Sequence, residues 1–163
     1  MIVIALGANL NSHAGTPRDT LYAALAALAE RNVRILTVSP FYRTRAWPDP
    51  RDPDFVNAVA IASSDLSPAG LMAVLQRTET SYGRKRSERN APRTLDLDIV
   101  DYNGRIEPGP PVLPHPRLSE RAFVLVPLAD VAPGWRHSVT GKSVEELIAA
   151  LPDGTGEIER LDT

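Results

Sequence analysis

Apolar and acidic residues alternate most clearly in a segment near the middle of the chain. There, Leu95, Leu97 and Ile99 alternate with Asp96 and Asp98. Because side chains in a strand point to opposite faces with a period of two, the pattern predicts a strand with an apolar core face and two acids on the other. Those acids lie about 6.6 Å apart along the strand, near enough to bind one hard cation or to bridge a pair. A solvated face of a half-buried strand gives the same alternation, so that alternative stays open.

Other periodic segments predict the remaining secondary structure. Runs rich in β-branched and aromatic residues predict strands over 2–6, 33–38, 41–44 and 55–61. Thr16 and Ser67 each precede a proline and a series of apolar residues at helical spacing, which predicts helices over 16–31 and 67–82. A further helix starts near Ser119, and Pro127 is expected to bend or end it. Ser143 begins a last short helix with a capping box.

The order of these elements predicts the fold class. The sequence β, α, β, β, α, β followed by helical segments is typical of an α+β fold of the ferredoxin-like type, an antiparallel sheet with helices packed on one face. We expect one domain over 1–163 and long mobile loops, among them the proline-rich segment 45–54. Asn57 falls on an apolar strand face and needs a polar partner.

Composition restricts the classes of function. The chain has 163 residues, 43% hydrophobic and 23% charged, which is typical of a soluble globular protein, and its net charge of -2 predicts no overall attraction to nucleic acid or membranes. It contains no cysteine, so disulfides, thiolate metal sites and a cysteine nucleophile are excluded. The short apolar N-terminus predicts a first strand and no signal peptide, so we expect a cytoplasmic, stand-alone protein.

A basic segment precedes the acidic strand. Residues 84–93 contain five cations and one acid, a strong local excess in an acidic chain. Two carboxylates suit Mg²⁺, which shares its coordination with substrate phosphates, and arginine side chains suit the phosphate oxygens themselves. A Walker A loop, a kinase glycine loop and a nucleophile elbow are all missing from the sequence. The combination favours phosphoryl chemistry, with a solvated basic loop as the plainer alternative.

Six motifs carry a resemblance to a known family. They are ALGANL at 5–10, SPFYRT at 39–44, DFVNAV at 54–59, ETSYGR at 79–84, APRTLDLDI at 91–99 and LPHPRLSERAFVLVPLADVAP at 113–133. In these motifs the chain resembles the 6-hydroxymethyl-7,8-dihydropterin pyrophosphokinases. That resemblance implies a folate-pathway enzyme that moves diphosphate from the co-substrate ATP to a pterin alcohol and releases AMP.

The resemblance also implies roles for individual residues. It makes Asp96 and Asp98 catalytic residues and ligands of two Mg²⁺ ions. The positions implied for the pterin are Thr44, Phe55, Asn57 and Phe123. The positions implied for ATP are Glu79, Arg84, Arg93, His115 and Arg121, of which Arg84 and Arg93 also match catalytic cations. We expect a monomer that binds these small molecules and neither nucleic acid nor membranes.

The chain departs from the family pattern in its loops. Segment 85–91 is one residue shorter than in the best-known members, and Asn90 stands where a tryptophan closes over the pterin, so the alignment of Arg86 and Arg89 stays open. Phe55 replaces a tyrosine that is common in the family. Trp47 is our hypothesis for the side chain that closes the pterin site instead.

A different class of function remains as an alternative. Ferredoxin-like sheets can present aromatic residues to single-stranded RNA, and the basic segment could follow its phosphates. Against an RNA-binding module stand the acidic net charge, the paired aspartates and the missing aromatic RNA-binding motif. A pterin or nucleotide sensor without catalysis would keep the fold, but the intact pair of aspartates disfavours it.

Overall fold

A computed structural model describes residues 1–46, 48–85, 91–152 and 157–162. The hypothesis on Trp47 therefore lies outside the described residues, as do the open alignments of Arg86, Arg89 and Asn90. In the described part of the chain, no helix is long and apolar enough to cross a membrane.

The regular elements follow the predicted order with two additions. The strands are β1 (Ile2–Ala8), β2 (Arg34–Val38), β3 (Tyr42–Thr44), β4 (Phe55–Ser63), β5 (Asp96–Tyr102), β6 (Glu107–Pro108), β7 (Val112–Leu113) and β8 (Ile158–Arg160). The helices are α1 (Pro17–Ala29), α2 (Pro68–Ser81), α3 (Ala122–Val131) and α4 (Val144–Ala149). The predicted caps at Thr16 and Ser67 form: Thr16 and Asp19 make a capping box, and the Ser67 hydroxyl accepts the Gly70 N–H. At Ser143 the hydroxyl accepts the Glu146 N–H and donates to the Glu146 carboxylate, which is one half of the predicted capping box.

The main sheet is antiparallel and has the ferredoxin-like order. Its strands run β5-β1-β4-β3-β8, and β2 pairs with the other half of β4. β2 and β3 thus form one interrupted strand beside β4, as the break at Ser39 and Pro40 predicts. This confirms the predicted antiparallel α+β plan.

Helices cover both faces of the sheet, so the prediction of helices on one face is wrong. On the first face, Ile4 and Leu6 of β1 pack in a core with Leu21 of α1 and Leu75 of α2. The second core includes Val3 and Val59 of the sheet with Val124, Leu125 and Leu128 of α3. The reason is that both alternating sets of residues in the central strands are apolar, and each apolar face has to be buried.

Three further details of the elements differ from the sequence analysis. Pro127 does not end α3, which continues to Val131. β8 was not predicted, because its segment offers one apolar residue, Ile158, among charged neighbours, and strand prediction from sequence depends on apolar alternation. Segment 104–116, predicted as loop, contains the short hairpin β6-β7.

A bulge in β5 anchors the end of the strand that is remote from the two acids. Ile4 pairs with Ile99 but Val3 pairs with Asp101, so Val100 is an extra residue in the ladder. The buried Asp101 carboxylate accepts the Trp135 Nε1–H at 2.8 Å and the Gly104 N–H at 3.1 Å. The bulge thereby connects β5 to the second core.

Trp135→Phe should lower the free energy of unfolding by about 1–3 kcal/mol, because it leaves one oxygen of the buried Asp101 carboxylate without its donor. Urea denaturation measures the change. In an Asp101→Asn background the same substitution should cost less, since the group left without a donor is then an amide. Equal costs in the two backgrounds would contradict the assigned hydrogen bond.

Candidate active site

Asp96 and Asp98 lie side by side at the beginning of β5. Leu95, Leu97 and Ile99 are at most 5% exposed and belong to the first core, as the alternation predicts. The side chains of Asp96 and Asp98 are 26% and 35% exposed and emerge on the opposite face. The strand therefore presents a pair of partly buried carboxylates.

Three arginines surround this pair, and each comes from a different part of the chain. Arg84 Nη1 lies 2.7 Å from Asp96 Oδ1, and Arg93 Nη1 lies 3.3 Å from Asp96 Oδ2. Arg121 Nη1 lies 3.6 Å from Asp98 Oδ2. The three guanidinium side chains are between 19% and 23% exposed, so the ion pairs are shielded from solvent more than ordinary surface pairs. This enclosure disfavours a merely solvated strand face.

The end of α2 determines the position of Arg84. Gly83 has φ 84°, and the Gly83 and Arg84 N–H groups donate to Thr80 O at 3.0 Å and Glu79 O at 3.1 Å. This is the Schellman arrangement, which suits glycine because an L side chain is strained at positive φ. The turn brings Arg84 back beside the last turn of α2, where its Nη1 also donates to Leu95 O at 3.1 Å.

Glu79 joins α2 to β5 and to Arg84. Its Oε2 accepts the Leu97 N–H at 2.9 Å and lies 2.8 Å from Arg84 Nη1. Burial raises the pKa of Glu79 to about 7, although the Leu97 N–H and the Arg84 charge act in the opposite direction. The charges of Asp96 and Asp98 raise this pKa further. Glu79 is therefore a buried acid that titrates near neutral pH.

Asp96 and Asp98 supply some of the oxygen ligands that a hard cation needs, but not all of them. Burial, and then the neighbouring Asp96 charge, raise the pKa of Asp98 against the influence of Arg121. An added cation would lower the pKa of Asp98 again. No cluster of three or more His, Cys, Asp or Glu residues suited to a metal occurs in the described ranges. The pair fits Mg²⁺, which accepts carboxylate oxygens and completes its shell with water or phosphate oxygens.

His115 is a neutral hydrogen-bonding group beside this cluster. Burial, followed by the charge of Arg121, lowers the pKa of His115 to about 4. Its Nδ1 accepts the Arg117 N–H at 3.2 Å, so the proton of the neutral ring resides on Nε2. The His115 N–H donates to Val100 O at 2.9 Å, which holds the residue against β5. At neutral pH the ring can therefore donate a hydrogen bond through Nε2 without carrying charge.

Two cavities meet at Asp96. The first, here called the α2-side cavity, has a volume of about 300 Å³ and is lined by residues that include Gln76, Glu79, Arg84, Asp98 and His115. The second, here called the α3-side cavity, has a volume of about 330 Å³ and is lined by residues that include Thr44, Phe55, Asn57, Arg121 and Phe123. Asp96 lines both. The four residues predicted for the pterin all line the α3-side cavity. Those predicted for ATP are split, because Arg93 and Arg121 line the α3-side cavity and the other three line the α2-side cavity.

An amide and two aromatic rings characterise the α3-side cavity. Asn57 Nδ2 donates to Thr44 Oγ1 at 2.7 Å, which supplies the polar partner that Asn57 requires. A Cβ at Gly7 would lie 2.7 Å from Asn57 Oδ1, so glycine on the adjacent strand leaves room for the amide. Phe55 and Phe123 lie 6.0 Å and 5.5 Å from the guanidinium carbons of Arg93 and Arg121, measured to the ring centroids.

Sequence reasoning missed Asn9, which is only 3% exposed. Asn9 Oδ1 accepts the Arg93 N–H at 2.8 Å, and its Nδ2 donates to Pro53 O at 3.0 Å. The N–H groups of Asn9 and Leu10 donate to Arg93 O at 3.0 and 3.2 Å. Asn9 thereby holds Arg93 in place and attaches the end of the 45–54 segment to it. An asparagine in the turn that follows β1 was the available signal.

Comparisons with known proteins agree on one family. The sequence profile of the family described as 7,8-dihydro-6-hydroxymethylpterin-pyrophosphokinase (HPPK) matches residues 3–133. The chain is 40% identical over 153 residues to the 2-amino-4-hydroxy-6-hydroxymethyldihydropteridine pyrophosphokinase of Pseudomonas aeruginosa, covering 93% of this chain and 91% of that protein. It is 39% identical over 148 residues to the protein of the same name from Synechocystis, covering 90% of this chain and 73% of the relative.

Solved structures agree with the fold. A structure titled as HPPK-DHPS in complex with substrates superimposes with a TM-score of 0.69 at 12% identity, over 91% of this chain. The chain spans 42% of the length of that solved chain. A Plasmodium falciparum HPPK-DHPS structure gives a TM-score of 0.68 at 15% identity.

Glu79→Gln should change how stability depends on pH. Because burial raises the pKa of Glu79 from 4.5 to about 7, its contribution to stability is fully present below the lower value and is lost as pH rises through the higher one. The glutamine variant lacks this titration, so it should become more stable relative to the wild type between about pH 5 and pH 8. Urea denaturation at several pH values measures the difference. A difference that stays constant over this range would contradict the raised pKa.

Proposed function

Since the chain belongs to the 7,8-dihydro-6-hydroxymethylpterin-pyrophosphokinase family, we propose that it transfers diphosphate from ATP to 6-hydroxymethyl-7,8-dihydropterin in folate biosynthesis. The products are AMP and the pterin diphosphate. The observation that best supports this proposal is the position of Asp96 between two adjoining cavities, within reach of two arginines. Two substrates can then meet at a cluster of carboxylates and cations.

The α3-side cavity suits the pterin. The Asn57 amide offers both a donor and an acceptor, which matches the mixed edge of a pterin ring. Thr44 orients this amide through their hydrogen bond at 2.7 Å. The rings of Phe55 and Phe123 line the same cavity and supply aromatic surfaces for stacking.

The α2-side cavity suits ATP. Arg84 lines this cavity. Arg93 pairs with the other carboxylate oxygen of Asp96, so guanidinium groups approach the boundary between the two cavities from both sides. The proton on His115 Nε2 supplies a neutral donor for a phosphate or ribose oxygen.

Asp96 and Asp98 are the residues that would hold magnesium, and we assign two ions to them. When bound, magnesium neutralises charge on the triphosphate and orients it. Arg84 and Arg93, which pair with Asp96 in this structure, are then available to phosphate oxygens. The carboxylates and arginines would thus exchange partners when magnesium and the substrates bind.

The reaction is a direct in-line displacement. The hydroxymethyl oxygen of the pterin forms a bond to the β-phosphorus of ATP, and the bond from that phosphorus to the oxygen bridging to the α-phosphorus breaks. AMP leaves with this oxygen, and the alcohol proton passes to solvent. Arg84 and Arg93 stabilise the charge that develops on the bridging oxygen. Transfer of this kind depends on positioning and on neutralised charge more than on covalent catalysis.

The RNA-binding alternative has no support from the comparisons. Since one chain forms both cavities, we propose that a monomer is sufficient for activity.

Incubation with ATP, Mg²⁺ and 6-hydroxymethyl-7,8-dihydropterin should produce AMP and the pterin diphosphate in equal amounts. Chromatographic separation of the nucleotides measures the outcome. Omission of the pterin or addition of a chelator should stop AMP formation, because each removes a required component. ADP as the nucleotide product would mean transfer of a single phosphoryl group and would contradict the proposal.

Asp98→Asn should lower kcat by at least about a hundredfold, because the amide keeps the shape of the side chain but lacks the charge that binds a metal. The matched control is Asp65→Asn, which changes a carboxylate that lines neither cavity. The thermal unfolding temperature of both variants should remain near that of the wild type. Magnesium-dependent turnover at the wild-type rate in Asp98→Asn would disprove the metal assignment.

A further inference from the structure

The strand β8 extends the sheet beside the α3-side cavity. It pairs antiparallel with β3, with Ile158 opposite Thr44 and Arg160 opposite Tyr42. Its residues lie outside the stretch 3–133 by which the family is matched. The family match therefore says nothing about what β8 contributes.

The register of β8 directs Ile158 towards the cavity. Residues directly opposite each other in an antiparallel pair share one face, with Cβ atoms about 4.5–5.5 Å apart. Thr44 points to the cavity, where it accepts the hydrogen bond from Asn57, and Ile158 lines the same cavity. Ile158 thus places an apolar side chain next to the polar edge formed by Thr44 and Asn57.

β8 is anchored independently of Ile158. The Leu161 N–H donates to Phe41 O at 2.8 Å, and the Leu161 side chain packs against the first core. On the opposite face of the strand, Arg43 Nη1 lies 3.3 Å from Glu159 Oε2. Shortening Ile158 therefore leaves the other attachments of the strand in place.

We propose that β8 forms a wall of the pterin pocket and that Ile158 is a specificity-determining residue, which contacts the ring beside the edge held by Thr44 and Asn57. This inference rests on the proposed function and adds a binding contact to it. Glu157 lines the same cavity, so the apolar contact from β8 is confined to Ile158. This contact disfavours a substrate with a polar or charged group against Ile158, because that group would be buried without a partner.

Steady-state kinetics of three full-length variants test the proposal. Ile158→Ala should raise the KM for the pterin alcohol by about tenfold, the effect of removing apolar contacts from a pocket, with the KM for ATP and kcat little changed. Ile158→Val, which keeps most of the side chain, should restore most of the affinity. Glu159→Ala is the matched control, because it alters the same strand on the opposite, exposed face.

The outcomes separate this inference from the function on which it rests. An active wild type with an unchanged pterin KM in Ile158→Ala would overturn the role of Ile158. A KM for ATP that rises as much as the pterin KM, or an equal effect in Glu159→Ala, would show a general loss of structure and would also overturn it. A wild type that forms no AMP would overturn the proposed function, and this inference with it.

Discussion

The repulsion between two carboxylates on one strand is the constraint on which the rest of the site depends. Asp96 and Asp98 can be partly buried together only if cations lie close enough to compensate their charge. The structure supplies Arg84 after α2, Arg93 before β5 and Arg121 before α3. Each arginine comes from a different segment, so the ends of three segments converge on one short stretch of β5. Fold and site are specified by the same contacts.

Two buried polar residues fix the arginines that surround the acids. Glu79 joins the last turn of α2 to the Leu97 N–H and to Arg84, and Asn9 joins the end of β1 to both backbone groups of Arg93. Neither residue lies on the acidic strand, yet each limits where a guanidinium group can go. The same burial between α2 and β5 raises the pKa of Glu79.

Local patterns predicted the elements better than they predicted how the elements meet. The alternation around Asp96 and the caps at Thr16 and Ser67 each depend on a few neighbouring residues, and the structure has all three. The placement of helices on both faces of the sheet was not predicted, because the apolar residues of a central strand do not show which helix packs on which face. β8 was missed because its pairing with β3 is a long-range contact and two of its three residues are charged. The roles of the site residues stay predictions, whereas their convergence is observed.

The position of Asp96 between the two cavities bears on the rate of the proposed reaction. Two substrates in adjoining cavities need no covalent intermediate, provided that their reacting atoms meet at the junction, and holding them there removes much of the entropic barrier. The junction carries carboxylates and arginines in mutual contact, so an entering triphosphate can take Arg84 and Arg93 from Asp96 when magnesium compensates the Asp96 charge in their place. A site of this kind is kept preorganised by its own ion pairs before the substrates arrive, and the same ion pairs supply the cations that the transfer requires.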